Sequence, residues 1–170
     1  AQIPYRAIPI AGATRSNVTV VEPDGTTTKL NEPGPDLSES EVDALVAAVA
    51  EEARPGGWVV VAGSLPADMD TAIIARLAQV ARDAGASFAL DASGAALADG
   101  LAAQPDLIKP NDEELGEILG RELTTFEEVL EGCQEVHRRG ARAVICSLGA
   151  DGAVLVDADG TEIATVSTAQ

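Results

Sequence analysis

Aromatic side chains are nearly missing: Phe, Trp and Tyr together make up 2% of the 170 residues. With 46% of the chain apolar, a core has to be aliphatic, assembled from Ala, Val, Leu and Ile. Cysteine is scarce too. Cys133 and Cys146 stand alone, with neither a C-x-x-C pair nor metal-ligand spacing, and read as reduced core or near-surface thiols in a cytoplasmic protein. The single histidine, His137, sits beside Arg138 and Arg139 and reads as a solvated helix residue rather than a ligand or base. Positive charge is short: 11 Lys and Arg face 28 Asp and Glu, a net charge of −17. That excess repels nucleic-acid phosphates and anionic membranes, and excludes both as general partners. No run approaches the roughly 18–20 apolar residues of a membrane span, and no basic-then-apolar signal segment is recognisable. What remains is one ordinary domain, or one and a part, with a real apolar core.

From about residue 38 onward, helix and strand patterns alternate. Ser38-Glu39-Ser40-Glu41 is a capping box, a hydroxyl followed three residues later by a carboxylate. Val42, Leu45, Val46, Val49 and Ala53 follow at helical spacing, and Pro55-Gly56-Gly57 stops that helix. Trp58-Val59-Val60-Val61-Ala62 is a short continuous apolar run, as expected for a strand buried on both faces. A second helix is expected over about 70–84, a strand at Phe88-Ala89-Leu90-Asp91, a short Ala-rich helix over about 95–103, and a strand at Leu107-Ile108-Lys109 broken by Pro110. Asn111 caps a helix ending near Gly120, and Thr124 or Thr125 starts another running to about Arg139. Ala143-Val144-Ile145-Cys146 and Ala153-Val154-Leu155-Val156 are strands, the second joined through Asp157-Ala158-Asp159-Gly160 to a last strand near 161–165. Strands separated by helices must run parallel with right-handed crossovers, which gives an open α/β sheet with helices on both faces. The Asp-Gly turn adds an antiparallel hairpin at its end.

The first 30 residues differ. Asn17-Val18-Thr19-Val20-Val21-Glu22 alternates and is β-branched, Pro23-Asp24-Gly25 turns, and residues 26–30 continue as a strand. Strands without a helix between them make a small antiparallel sheet, read as a lid. Asn31-Glu32-Pro33-Gly34-Pro35 links back to the main domain.

In open α/β sheets ligands bind beyond the C-terminal strand ends. The residues there are Gly63-Ser64-Leu65-Pro66, Asp91-Ala92-Ser93-Gly94, Lys109-Pro110-Asn111-Asp112-Glu113-Glu114 and Ser147-Leu148-Gly149-Ala150-Asp151-Gly152. Most arginines lie on or just after helices, so the few cations off the helices, Arg15, Lys29 and Lys109 among them, are candidates for gripping a phosphate. Each motif has two readings. Asn111-x-x-Glu114 has capping-box spacing, and also sets a carbonyl and a carboxylate where they could hold a hydrated magnesium ion by its water shell. Residues 147–152 make a tight turn, or a loop whose glycines let amides approach a phosphate. Gly63-Ser64-Leu65-Pro66 reads alone as a strand-ending turn and Arg15 as a surface arginine, whereas Asp91 points to a site.

Thr14-Arg15-Ser16-Asn17-Val18, Asn31-Glu32-Pro33-Gly34-Pro35, Gly63-Ser64-Leu65-Pro66, Asp91-Ala92-Ser93-Gly94, Lys109-Pro110-Asn111-x-x-Glu114 and Ser147-Leu148-Gly149-Ala150-x-Gly152 occur in this order. Together they resemble the PfkB or ribokinase family of sugar kinases over nearly the whole chain, and look most like its bacterial 1-phosphofructokinase and tagatose-6-phosphate kinase branch. The resemblance implies a ribokinase-like fold and phosphoryl transfer from ATP, with Mg2+, to a sugar phosphate. The expected reaction turns fructose 1-phosphate into fructose 1,6-bisphosphate; a tagatose-6-phosphate or fructose-6-phosphate kinase, or an inactive nucleotide- or sugar-binding module, are the alternatives. By motif, Arg15 and Asn17 face the phosphorylated sugar from the lid, Lys29 is a further candidate there, and Ser64 lies near the substrate. Lys109, Asn111, Ser147, Gly149 and Gly152 line the nucleotide side. Asp91, at the floor of the channel between donor and acceptor, joins Asn111 and Glu114 in organising metal and phosphate.

The resemblance also sets expectations for the layout. Residues 1–34 are part of the lid and linker, and residues 35–170 are the central part of the kinase core. The family has a Gly-rich sugar-binding segment ahead of this region and a Gly-Ala-Gly-Asp motif, with the anion hole and the Asp base, after it. Neither occurs in these 170 residues. The base is therefore expected beyond Gln170, and turnover by this stretch alone near background. A homodimer through the edges of the lid strands is the expected assembly.

Overall fold

The structure, a computed structural model, describes residues 3–66 and 68–164. Its helices begin where the chemistry of their first turns says they should. Ser38 caps α1 (Glu39–Glu52), Asn111 caps α4 (Asp112–Leu119) and Thr125 caps α5 (Phe126–Arg138), each in a complete box closed by Glu41, Glu114 and Glu128. The remaining helices, α2 (Ala72–Asp83) and α3 (Gly94–Gly100), have no side-chain cap. Residues Leu101–Ala103 tighten into a 3₁₀ turn where the Ala-rich helix was expected to continue.

Two cap carboxylates carry a pH signature. Hydrogen bonds from Ser38, side chain first and then backbone, hold Glu41 below the ordinary value of 4.5. Glu128 is lowered from 4.5 likewise, by the Thr124 backbone first. A depressed folded-state pKa adds stability that is complete above the unfolded value and is lost as pH falls through the folded one. Urea midpoints are therefore expected to fall as pH drops below about 4.5. The Glu41→Gln/Glu128→Gln double variant should show a shallower decline; an unchanged slope would count against the caps as its source.

The strands are β1 (Asn17–Val21), β2 (Thr27–Asn31), β3 (Trp58–Ala62), β4 (Ser87–Asp91), β5 (Leu107–Ile108), β6 (Val144–Ser147), β7 (Ala153–Asp157) and β8 (Gly160–Ala164). β1 and β2 pair antiparallel as a separate two-stranded sheet, and the other six follow one another in sequence order. β3 to β6 are parallel; β7 and β8 are antiparallel. The α/β architecture with its hairpin end and small second sheet is thus the one expected.

The register sorts the side chains. Val59 lies beside Phe88, Leu90 beside Ile108 and Ile108 beside Val144, and all are buried against the helices. Cys146, Val154 and Val156 extend this face, which packs on Ile73, Ile74, Leu77, Leu97, Leu115 and Val136. Among the described residues the core is aliphatic apart from Phe88, Cys133 and Cys146. The opposite face differs from expectation. Trp58 and Val60 are 56% and 61% exposed, and helices cover only one face among the described residues. Strand order is the reason: each crossover steps to the next strand in the same direction, so right-handed crossovers put every helix on the same side.

His137 is half-buried rather than solvated. Its Nδ1 lies 2.9 Å from the Ala141 carbonyl, which requires the Nδ1–H tautomer, and it ties off the end of α5. Cys133 and Cys146 are free and fully buried. Cys146 is pushed well above the usual thiol range, first by donating its hydrogen to Cys133, then by burial and by the charges of Asp112 and Glu114. Cys133, which accepts that hydrogen, is held below the usual thiol value, and both thiols are closed off in the core.

Candidate functional site

Parallel strands end on one edge of the sheet, so β3 to β6 deliver Ser64, Asp91, Lys109 and Ser147 there together. The edge is stitched by backbone bonds. Gly63 N–H donates to Asp91 O (2.8 Å), Lys109 N–H to Leu90 O (2.9 Å) and Ser147 N–H to Pro110 O (3.0 Å). Asn111 and Ser147 form a parallel bridge.

Arg15 arrives from the lid. Its Nη2 donates to Ser64 Oγ at 2.7 Å, across 49 residues of sequence. Glu32 accepts the Ser16 N–H at 2.8 Å and closes the base of the lid beside that contact. Glu32 is a site residue beyond those expected from the motifs, and its one sign in the sequence is an acid directly after a strand and before Pro33.

Along the edge, Lys109 Nζ lies 3.1 Å from Asp91 Oδ1. Asn111 and Glu114 form the capping box: Asn111 Oδ1 accepts from Glu114 N–H (2.8 Å) and Glu114 Oε2 accepts from Asn111 N–H (2.9 Å). Glu114 Oε1 takes no part in that box. The two readings of this motif are therefore compatible, because the cap uses one carboxylate oxygen and leaves the other for a water molecule.

Beyond Ser147 the chain turns through a short 3₁₀ segment, Gly149–Asp151. Gly149 has φ +58° and Gly152 φ +110°, conformations that L side chains rarely adopt, so the glycines are required by the turn itself. The amides of Gly149 and Ala150 precede the first bond of this turn, from Asp151 N–H to Leu148 O (3.1 Å).

Two expected residues stay apart from the edge. Asn17 and Lys29 lie on the polar face of the lid, opposite Val18, Val20 and Leu30. Among the described residues no side-chain hydrogen bond or ion pair joins either to the core. A hollow of about 620 Å³ along α4, lined by Asp112, Glu113, Glu117, Glu122 and Arg121, is too acidic for a phosphate group. Among the described residues no group of three or more His, Cys, Asp or Glu is placed to hold a metal directly. The donor set therefore fits a magnesium ion only through its water shell, the mode usual for that ion.

The chain matches the model of the pfkB family carbohydrate kinases over residues 1–169. It is 46% identical over 149 residues to the 1-phosphofructokinase of Rhodobacter capsulatus, covering 86% of this chain and 47% of that one. To the 1-phosphofructokinase of Vibrio cholerae it is 38% identical, covering 85% and 46%. The chain thus spans about half the length of the curated relatives it matches. Among solved structures, the tetrameric inhibited form of Escherichia coli phosphofructokinase-2 superposes with a TM-score of 0.90 at 32% identity, over 99% of this chain and 56% of that one. The same enzyme in complex with fructose-6-phosphate gives 0.81 at 33% identity, over 91% and 52%.

Proposed function

The chain belongs to the pfkB family of carbohydrate kinases, and from that premise we propose that it serves phosphoryl transfer from ATP to a sugar phosphate, fructose 1-phosphate in particular. The γ-phosphoryl group of ATP moves to the sugar's 6-hydroxyl. A P–O bond forms there, the bond to the β-phosphate oxygen breaks, and the hydroxyl proton leaves, giving fructose 1,6-bisphosphate and ADP. The observation that carries the reading is the Arg15–Ser64 contact of 2.7 Å, which sets a cation from the lid over the edge where the strands end.

Phosphoryl transfer asks a protein for positioning and charge neutralisation more than for covalent help. Arg15 and Ser64 grip the substrate phosphate, with Asn17 and Lys29 closing from the lid. Lys109, Asn111, Ser147 and the Gly149–Gly152 turn hold the nucleotide phosphates. Asn111 and Glu114 organise phosphate and hydrated metal, and Asp91 joins them on the phosphate side at the floor of the channel, beside Lys109. Bound magnesium supplies neutralisation of charge on the transferring phosphates. Binding, orientation and charge are the work of these residues; none of them is assigned as the proton acceptor. Residues 1–34 act as lid and linker, and residues 35–170 as core.

Fructose 6-phosphate is the second acceptor to consider, because the structural relative named above was solved with it. A partner by the lid is part of the proposal. Val18, Val20 and Leu30 form an apolar lid face at 51%, 46% and 59% exposure, and among the described residues each lid strand has a free edge for a second copy. Among the described residues no helix is long and apolar enough to cross a membrane, and the charge of −17 argues against nucleic-acid partners; we place the protein in the cytoplasm.

The test is ADP release by the intact protein with fructose 1-phosphate, fructose 6-phosphate and tagatose 6-phosphate in turn. The highest kcat/KM is expected for fructose 1-phosphate. Preference for another member of the panel would move the acceptor, and silence with all three would leave a binding module.

A further inference from the structure

We propose that Asp91 is the positioning residue for Lys109: its carboxylate aims the lysine ammonium into the path of the nucleotide phosphates, so its part in ATP binding runs through that lysine and not through a metal ion. The inference rests on the kinase reading above and deepens it.

The argument begins with the backbone. Leu90 and Ile108 are register partners on parallel strands, so the next position along sets Asp91 beside Lys109. Both residues are pinned: Lys109 N–H donates to Leu90 O and Asp91 O accepts from Gly63 N–H. The sheet itself thus sets the starting points of the pair, and the 3.1 Å contact follows without a long search by either side chain. Lysine carries its charge on a flexible four-carbon stem. A fixed acceptor at the stem's end narrows where that charge resides. The ammonium has three donors and gives one direction to Asp91, leaving the others for an incoming oxygen.

Charge supports the same assignment. A bare carboxylate at this edge, in a chain of −17, would repel a nucleotide. Paired with Lys109 it adds no net charge, and it offers the nucleotide an oriented donor. The metal role fits less well, since the ammonium occupies the space 3.1 Å from Asp91 Oδ1 where a cation would sit. No group of three or more ligating side chains surrounds it among the described residues. Glu114, with its spare oxygen, is the carboxylate left for a hydrated ion. The side chains of Lys109 and Asp91 are 41% and 42% exposed, so the pair adds little to stability and remains open to a ligand.

The test is a double-variant cycle on the intact protein, read as equilibrium binding of ATP with and without magnesium. Lys109→Met is expected to weaken ATP by about 10-fold or more, and Asp91→Asn by about 5- to 10-fold. The double variant should bind no more weakly than Lys109→Met alone, because Asp91 has no lysine left to aim. The loss in Asp91→Asn should be equal with and without magnesium, and Asp91→Glu should recover most of it. Losses that multiply in the double variant, or a loss that excess magnesium abolishes, would overturn the inference and return Asp91 to the metal. Wild-type binding by Asp91→Asn would overturn it as well. A wild-type protein that binds no ATP at all would overturn the kinase reading itself, and this inference with it.

Discussion

Replacing Arg15 by alanine in the intact protein is expected to raise the KM for the sugar phosphate about 10- to 100-fold, while the KM for ATP stays where it was. The expectation comes from charge. The proposed substrate is a phosphomonoester dianion approaching a chain of −17, and a local cation has to reverse that field. Arg15 is half-buried, and its guanidinium already rests on Ser64 at 2.7 Å. A guanidinium can offer a phosphate two parallel charge-assisted hydrogen bonds. Bonds to charged groups are each worth roughly 1.5–3 kcal/mol, which sets the range above. Arg15→Lys should restore part of the loss, because charge returns without the fork. Ser64→Ala should have the smaller effect, since it removes a neutral partner and leaves the cation. Steady-state kinetics with each substrate varied in turn decides the matter. An unchanged sugar-phosphate KM, or equal shifts in both constants, would make Arg15 a surface arginine.

The second large effect is expected at Glu114. Its carboxylate caps α4 through Oε2, while Oε1 makes no hydrogen bond among the described residues, so Glu114→Gln separates two jobs. Glutamine also serves at this position of a capping box, so helix and melting temperature should survive nearly intact. The charge that would attract a hydrated cation is lost. Groups that act on a metal through its surrounding shell typically change affinity or activity about 10- to 100-fold when replaced. Magnesium-dependent use of ATP should weaken by that order, with the magnesium concentration for half-maximal rate rising in parallel. A variant that melts slightly earlier and keeps its magnesium dependence would reduce Glu114 to a cap.

Much of this molecule follows from local chemistry alone. Ser38, Asn111 and Thr125 each stand three residues before a glutamate, and each starts a helix, because an oxygen acceptor and a returning carboxylate satisfy amides within one turn. The parallel strands were legible as apolar runs separated by helical spacing, and the last hairpin from Asp159-Gly160. Ser64, Asp91, Lys109, Asn111, Glu114 and Ser147 were legible as residues at or just after strand ends, because strand ends in such a sheet gather on one edge. Where Arg15 would rest was not legible: it stands 49 positions before Ser64, the stretch between them includes a lid strand pair, a helix and β3, and no local pattern spans that distance.

The sequence by itself determined the class of fold and the types of residue available at the strand ends, since these depend on periodicity, caps and turn residues read within a few positions; the family resemblance lay in the order of six motifs along the chain. Only the tertiary structure decided which of those residues meet. The in-register pairing of β4 with β5 put Asp91 against Lys109 rather than against a neighbour on its own strand. The one-directional strand order gathered the helices on a single face among the described residues. The lid brought Arg15 to Ser64 and left Asn17 and Lys29 on its own polar surface. Such outcomes depend on register and chain crossing, which are set by burying the whole aliphatic core at once, so no single segment encodes them.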